Sequence, residues 1–288
     1  MPRRFDLGIA SYANFEKLHR TVATIRRQCV TDWRLLIVDN PSPQSDQIRK
    51  WICAQGDQEP RISVVMNEEN RGYAGAVNQI LEWAETEYIG YCDNDVMIDT
   101  RAWDESLCSL LDRHHEVGMV FPNGGAFPIH RGTYTEVLWG IGFCWVINRM
   151  AFRRVGGFDE AIGHQEEADY CMRMRMKGYR CASLGDVRVR HDATATKDPK
   201  ALERINAGVE RFVTKWNRYF NGEEYHYHHP YVTRWEDWPP NALYLEQFYR
   251  THLGDKFNEN PELITLAGRK LDLIKVPRFF QMYRNRII

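Results

Sequence analysis

The sequence predicts an α/β fold in which a mostly parallel β-sheet is flanked by helices. In residues 5–95, short apolar segments rich in β-branched and aromatic residues alternate with segments that carry apolar residues at helical spacing. Strands joined through helices need crossover connections, which favour a parallel sheet covered on both faces. Three of the predicted strands also end in polar side chains, as expected at the edge of such a sheet where ligands bind.

The first third of the chain contains four predicted strands and three predicted helices. The helical pattern is clear in residues 16–29, where Leu18, Val22 and Ile25 share one face. A glycine-containing loop within residues 67–78 opens the third helix. The strands are expected at residues 5–12, 33–38, 62–66 and 88–92, and the helices at residues 16–29, 46–53 and 72–84.

The α/β pattern continues to about residue 192 and is lost from Lys200 onward. Residues 124–135 form a predicted loop that is long enough to be a lid or a binding element. We therefore predict an α/β domain at residues 1–198, with halves 1–99 and 100–198, and a helical, aromatic-rich extension at residues 199–288. Its further elements are strands at 117–122, 139–147 and 181–189, helices at 102–114, 149–155 and 166–176, and extension helices at 201–219, 243–252 and 261–274.

Polar side chains follow three of the first four strands. Ser11 and Tyr12 end the first strand, Asp39 ends the second, and Asp93 and Asp95 follow the fourth. The carboxyl ends of parallel strands meet at one edge of the sheet, so these side chains are expected to lie together. A nucleotide pocket at this edge explains all three endings at once.

The segment Asp93-Asn94-Asp95 is a candidate metal site, because a rigid buried strand ends there in hard oxygen ligands. Such ligands suit a divalent cation that bridges two phosphates; the alternative is a solvated turn. Asp39 likewise either forms a turn before Pro41 or accepts hydrogen bonds from a base or a ribose.

A second acidic cluster lies at the start of the last predicted helix and consists of Glu166, Glu167 and Asp169. Carboxylates at this position are favoured by the helix dipole and serve either as caps or in chemistry. His191 leaves the strand at 181–189 as a surface residue or, if the sheet folds back, reaches the same cation as Asp95.

Composition excludes several other classes of protein. A formal net charge of -1 gives no reason to expect nucleic-acid binding. No apolar stretch is long enough to span a bilayer, so a cytoplasmic location is expected. The basic and apolar ending at residues 269–286 is a solvated helix face, a homodimer contact or a peripheral attachment to the membrane. The fingerprints of dinucleotide-binding and P-loop folds are absent from the sequence.

The order of these signals resembles the inverting family 2 glycosyltransferases of the GT-A fold, particularly their rhamnosyl- and galactofuranosyl-transferase-like members. The resemblance covers residues 6–216. It rests on six motifs in the family's order: residues 10–12, 38–40, 70–78, the DxD motif at 93–95, residues 156–160, and residues 166–173 in the place of the family's ED-x-D-x-x-x-R.

The resemblance implies an enzyme that moves a sugar from a nucleotide-diphospho-sugar, UDP- or dTDP-linked, to a carbohydrate or glycoconjugate acceptor. Residues 1–99 would then be the nucleotide-binding half and residues 100–198 the acceptor and catalytic half. Asp93, Asp95 and His191 would bind Mn²⁺ or Mg²⁺, a cofactor that offsets charge on the leaving diphosphate. The implied donor-binding residues are Ser11, Tyr12, Asp39, Arg71, Gly72, Asn78, Asp93 and Asn94.

An inverting transfer needs one base to deprotonate the acceptor hydroxyl. By position this base is Glu167, where the family commonly has an aspartate, so either the acceptor sits differently or Glu166 does the work. Together with Asp169 these carboxylates are expected to raise one another's pKa. Two alternatives stay open: a catalytically silent sugar-binding or scaffold module, and a sugar nucleotidyltransferase.

Overall fold

The computed structural model describes residues 4–125 and 128–192, and after them residues 203–204, 207–208, 210–212 and 214–216. Its strands are β1 (Arg4–Ser11), β2 (Asp32–Asp39), β3 (Ile62–Met66), β4 (Tyr88–Asp93), β5 (Val96–Ile98), β6 (Val117–Phe121), β7 (Ile129–His130), β8 (Thr135–Val137), β9 (Cys144–Asn148), β10 (Arg180–Ser183) and β11 (Val189–His191). Its helices are α1 (Phe15–Gln28), α2 (Ser45–Gln58), α3 (Gly72–Trp83), α4 (Trp103–Arg113), α5 (Arg149–Val155) and α6 (Glu166–Met176).

Nine strands form one sheet in the order β3-β2-β1-β4-β9-β6-β10-β8-β7. The first four strands in this order pair in parallel, and β10 pairs in parallel with β6. Antiparallel pairing makes β9 and β8 run against the other strands. The prediction of a mostly parallel α/β sheet is confirmed.

Helices cover both faces of the sheet, so the central strands are buried on both sides. In β2, Leu36 and Val38 belong to one hydrophobic core, whereas Leu35 and Ile37 belong to the other. This alternation explains why the strand is a continuous apolar run in the sequence, as parallel strands between two helical layers usually are. The two cores hold the strand ends rigidly at the sheet edge.

Three predicted elements of the second half differ from the structure. The strand expected at residues 139–147 begins only at Cys144; before it, Gly140 lies against the Phe121 ring and forms an isolated antiparallel bridge with Gly125. The loop expected at residues 124–135 contains β7 and the start of β8, which pair as a hairpin. The strand expected at residues 181–189 is interrupted by a turn at residues 185–186 and forms β10 and β11.

The interruption before β11 positions the candidate site. After the turn, β11 pairs antiparallel with β5 in a separate two-stranded sheet. The register of this pair places His191 opposite Val96, one residue beyond Asp95. The chain therefore folds back to the edge of the sheet where β1, β2 and β4 end.

The described part of the segment after residue 202 is helical, within the helix expected at 201–219. Phe212 and Trp216 are buried in the core that contains α6. The division of the chain at residue 198 stays a prediction, and the elements expected beyond residue 216 lie outside the described residues. Among the helices of the described part, none is long and apolar enough to cross a bilayer.

Candidate active site

Three potential metal ligands meet at the edge of the sheet. One oxygen of Asp93, one oxygen of Asp95 and a ring nitrogen of His191 all lie within 4.8 Å of one another. The Nε2 atom of His191 is 2.9 Å from Oδ1 of Asp95 and 3.4 Å from Oδ2 of Asp93. The structure thus brings together the three residues that the sequence proposed as ligands.

Two of the candidate ligands are held by aromatic side chains. The Tyr91 hydroxyl donates to Oδ1 of Asp93 at 2.6 Å, which leaves Oδ2 directed towards the histidine. The His191 ring stacks on Phe143, with the ring centroids 4.7 Å apart. Ligands fixed in this way need little rearrangement to accept a cation.

The electrostatics of this cluster favour a positive charge. Burial raises the pKa of Asp93 to about 7, although His191 and the Tyr91 hydroxyl act in the opposite direction. For His191, burial lowers the pKa, but the two carboxylates outweigh burial and the net shift is upward. Two carboxylates in a poorly hydrated place gain from any nearby cation.

A lysine and an amide connect the cluster to the loop that follows β1. The Lys17 ammonium lies 3.7 Å from Oδ2 of Asp95 and 2.5 Å from the Asp192 carbonyl oxygen. Asn94 donates to the carbonyl oxygen of Ala13 at 3.0 Å, so its side chain fastens this loop to the end of β4. Tyr12, in the same loop, is half exposed at the mouth of the site.

Asp39 and Ser11 lie side by side at the ends of β2 and β1, and both are buried. Arg49 donates to Oδ2 of Asp39 at 2.9 Å. Burial raises the pKa of Asp39, and Arg49 offsets only part of that rise. Among the described residues, neither Oδ1 of Asp39 nor the Ser11 hydroxyl has a hydrogen-bond partner of good geometry, but the Ser11 hydroxyl is near enough to Asp39 to help lower its pKa. Oδ1 of Asp39 can therefore accept a hydrogen bond from a ligand.

The residues at the start of α3 differ in their exposure. Gly72 has a φ of +68°, a left-handed conformation that glycine adopts easily, and it is exposed together with Arg71. Asn78, in contrast, is buried and exchanges hydrogen bonds with the backbone of Phe158, and its amide also donates to Glu160. The polar atoms of Asn78 hold the 156–160 loop, and donor binding by this side chain stays a prediction.

Glu167 is the second residue of α6. Its carboxylate fills the space beside Gly142 where a larger residue would have a Cβ atom. Burial raises the pKa of Glu167, and its backbone amide and the Tyr73 hydroxyl oppose the rise. The charge of Glu167 in turn contributes to the raised pKa of Asp93, so the two carboxylates lie near each other.

Glu166 has a different environment although it is adjacent in sequence. Burial, together with the charges of Glu167 and Asp169, raises the pKa of Glu166 to about 8, and Arg211 opposes this rise. Near neutral pH this carboxyl group is therefore largely protonated. Neighbouring carboxylates were expected to raise one another's pKa, and at Glu166 they do.

Asp169 forms a buried ionic contact instead of facing the metal cluster. Its Oδ2 atom is 2.8 Å from Nε of Arg173, and its Oδ1 atom is 2.5 Å from Nζ of Lys215. The indole of Trp216 donates to the same Oδ1 at 3.2 Å. Both oxygens are thus engaged within the domain, and Asp169 anchors the helix that carries the glutamates; a catalytic role for Asp169 stays a prediction.

Sequence analysis missed several side chains that complete the site. Tyr73, Tyr91, Arg49 and Lys17 each contact a candidate residue, but each lies on an ordinary helix or strand pattern. The site loops also contain left-handed residues other than glycine, such as Gln165 immediately before the acidic pair, with a φ of 71°. Such strained positions concentrate at functional sites, but only a structure reveals them.

The fold and the site together define a GT-A-type protein. A mannosyltransferase from Pyrobaculum calidifontis, solved with GDP-Man and Mn²⁺, has a TM-score of 0.60 at 15% identity, covering 99% of this chain and 81% of that one. Residues 1–349 of TarS from S. aureus, solved with UDP-GlcNAc, have a TM-score of 0.63 at 14% identity, covering 93% of this chain and 77% of that one.

The matched sequence region identifies the family. Residues 6–156 match the family described as glycosyl transferase family 2, which is just over half of the 288-residue chain. A relative, the Escherichia coli UDP-Glc:alpha-D-GlcNAc-diphosphoundecaprenol beta-1,3-glucosyltransferase WfgD, is 31% identical over 85 residues. That match spans 30% of this chain and 32% of the relative. The chain belongs to glycosyltransferase family 2.

Proposed function

We propose that this protein is a metal-dependent, inverting glycosyltransferase that moves a sugar from a nucleoside-diphosphate sugar to an acceptor hydroxyl. The observation that carries the proposal is the meeting of Asp93, Asp95 and His191 within 4.8 Å at the sheet edge. Glu167, from the second half of the domain, lies near enough for its charge to act on Asp93. A single displacement requires a cation site and a base close to each other.

The three candidate ligand atoms fit a divalent cation, and they fit Mn²⁺ better than Mg²⁺. Two carboxylates suit both ions, whereas an imidazole ligand is more typical of the softer transition metals. When bound, the cation would stabilise the negative charge that grows on the leaving diphosphate. Mn²⁺ is also present in the structure of the similar mannosyltransferase, which supports this choice.

Asp39 supports a donor whose base presents an N–H group to a buried carboxylate. Arg49 holds Oδ2 of Asp39, and Oδ1 has no well-formed hydrogen bond among the described residues. The imide N–H of uracil or thymine can donate to this oxygen, whereas the corresponding ring nitrogen of cytosine is an acceptor. We therefore favour a UDP- or dTDP-linked donor.

Glu167 is the proposed base, with Glu166 as its protonated neighbour. A base must be ionised before it can take a proton, and the pKa of about 8 leaves Glu166 largely protonated near pH 7. Tyr73 lies beside Glu167 and helps to lower its pKa. The acceptor hydroxyl would bind beside Glu167 and attack the sugar on the face opposite the leaving diphosphate.

The acceptor is proposed to be a carbohydrate or a glycoconjugate of polysaccharide biosynthesis. WfgD, named as acting on a diphosphoundecaprenol-linked sugar, supports a lipid-linked acceptor and peripheral action at the membrane. The resemblance to rhamnosyl- and galactofuranosyl-transferases favours those two sugars in the donor. A homodimer or membrane contact through residues 269–286 is proposed on their basic and apolar composition.

A release assay tests the proposed activity. The full chain is incubated with Mn²⁺ and a panel of sugars linked to UDP, dTDP and GDP, together with short lipid-linked and free glycan acceptors. We expect acceptor-dependent release of UDP or dTDP that stops with EDTA, and a product of inverted anomeric configuration by NMR. No release with any donor, or a product of retained configuration, would contradict the proposal.

A further inference from the structure

We propose that Lys215 is a positioning residue that holds the start of α6, and with it the base, in the active geometry. This inference rests on the proposed function, because it assigns Lys215 a role in the reaction through Glu167. Lys215 lies 17 residues beyond the domain boundary expected from the sequence at residue 198. The segment that follows the boundary would therefore be part of the catalytic unit.

Lys215 is fully buried and joins two carboxylates from different segments. Its ammonium is 2.8 Å from Oδ2 of Asp159 and 2.5 Å from Oδ1 of Asp169. Arg173 completes the cluster from the other side of Asp169, at 2.8 Å. The cluster thus contains two positive and two negative groups, each at most 3% exposed.

The two carboxylates flank the proposed base in the chain. Asp169 stands two residues after Glu167 in the first turn of α6, and Asp159 lies in the loop that leads into this helix. Lys215 therefore fastens both sides of the turn that carries the base. A rigid second contact of this kind sets the direction in which a helix presents its first residues.

Neighbours of Lys215 contact the same loop. Arg211 donates to the Ile162 carbonyl oxygen at 2.8 Å. Gly208 packs so closely on His164 that a Cβ atom at Gly208 would overlap that residue. Trp216 donates to Asp169. Contacts from one short segment thus reach the loop at residues 159–164 and the first turn of α6.

Burial of this ionic cluster favours a geometric role over a stabilising one. The desolvation of buried charges commonly cancels their attraction, so such clusters add little net stability. They do fix the relative positions of their members, because each charge needs its partners at hydrogen-bond distance. The cluster then selects one orientation of α6, which a purely apolar contact would not.

The test compares Lys215→Met with a matched control at the other end of the sheet. Arg34→Met removes a cation from the buried Asp6, 2.8 Å away and remote from the site. For Lys215→Met we expect kcat to fall about 100-fold, the loss typical of a misplaced catalytic group, with the donor KM and the affinity for UDP and Mn²⁺ within about twofold of wild type. Arg34→Met should leave kcat unchanged.

Hydrogen exchange separates this inference from the proposed activity. In Lys215→Met, backbone amides of residues 163–170 should exchange at least tenfold faster, an opening of about 1.4 kcal/mol, while those of β1 and β4 stay protected. If Lys215→Met fails to fold, the double variant Lys215→Met/Asp159→Asn is used in its place, because it removes one charge of each sign. Unchanged exchange together with unchanged kcat would overturn the inference, whereas an inactive wild type with faster exchange in the variant would overturn only the proposed activity.

Discussion

At the scale of single residues, the chemistry depends on which glutamate is ionised. Glu166 and Glu167 are adjacent in sequence, but only Glu167 faces Tyr73 and Asp93. Glu166 is surrounded by apolar groups and by other carboxylates, which keep it protonated. Environment, and not residue type, therefore separates the two roles.

Replacement of Glu167 by glutamine tests this assignment. Glutamine has nearly the same shape but accepts no proton, so turnover should fall by roughly 10²- to 10⁴-fold, the usual contribution of a general base. The affinity for UDP and Mn²⁺ should be unchanged in calorimetry, since Glu167 does not ligate the cation. Glu166→Gln is the matched control and should keep most of the activity; the opposite ranking would assign the base to Glu166.

The raised pKa of the glutamate pair predicts how activity depends on pH. Burial raises the pKa of Glu167 above that of an ordinary glutamate. Below the raised pKa the base carries a proton and is inactive, so turnover should rise with pH and then level off. The rates are measured at saturating Mn²⁺, so that protons do not compete for the metal ligands.

The pH at the inflection of the turnover curve tests whether a buried glutamate is the base. It should lie clearly above the value of about 4.3 for an ordinary glutamate. It should stay nearly the same in Glu166→Gln, because Glu166 keeps its proton while Glu167 titrates and removing it takes no charge away. A profile that is flat from pH 5 to 8 would show that no buried carboxylate limits the reaction.

At the residue scale, sequence analysis identified the carboxylates and His191 but not their partners. Asp93 and Asp95 follow a strand whose apolar pattern is unmistakable, so their location at the sheet edge could be predicted. The role of Asn78 could not, because its hydrogen bonds reach Phe158, 80 residues away. Long-range contacts of this kind leave no periodic signal in the chain.

At the scale of elements, close packing between α6 and the segment before β9 positions the base. The Glu167 carboxylate occupies the space beside Gly142 that any side chain at this position would need. A flexible carboxylate moves away at little cost, so the fold should tolerate a methyl group there while the base should not.

Gly142→Ala is therefore expected to lower turnover about 100-fold with little change in thermal stability or in UDP affinity. Gly124→Ala is the matched control, because a Cβ atom at Gly124 would meet no heavy atom within 4 Å. Steady-state kinetics and thermal unfolding are measured on both variants. Equal activities in the two would show that Glu167 is not held where the structure has it.

Elements with strong periodicity were predictable, and elements defined by packing were not. The pattern of α1 and the run of β2 fall within a residue or two of their predicted bounds. The turn between β10 and β11 is set by pairing of β11 with β5, about 90 residues earlier in the chain. The prediction from apolar content alone therefore gave one strand at residues 181–189, where the fold has the two strands β10 and β11.

At the scale of the whole molecule, the site is assembled from both ends of the described chain. Asp39 and Asp93 come from the first half, His191 and Glu167 from the second, and Lys215 from the segment beyond them. The parallel sheet explains why the strand ends meet, which the sequence predicts. The fold-back of β11 and the contacts of Gly208, Arg211, Lys215 and Trp216 depend on tertiary structure and had to be observed.

The central claim is that a cation held by Asp93, Asp95 and His191 binds a uridine or thymidine diphosphate. Calorimetric titration of the full chain with UDP, in Mn²⁺ and again in EDTA, tests it most directly, with CDP as the control for the base and Asp95→Asn as the control for the metal. We predict binding of UDP that requires Mn²⁺, is much weaker for CDP and is lost in Asp95→Asn. UDP binding of equal strength in EDTA, or no binding in either condition, would contradict the account.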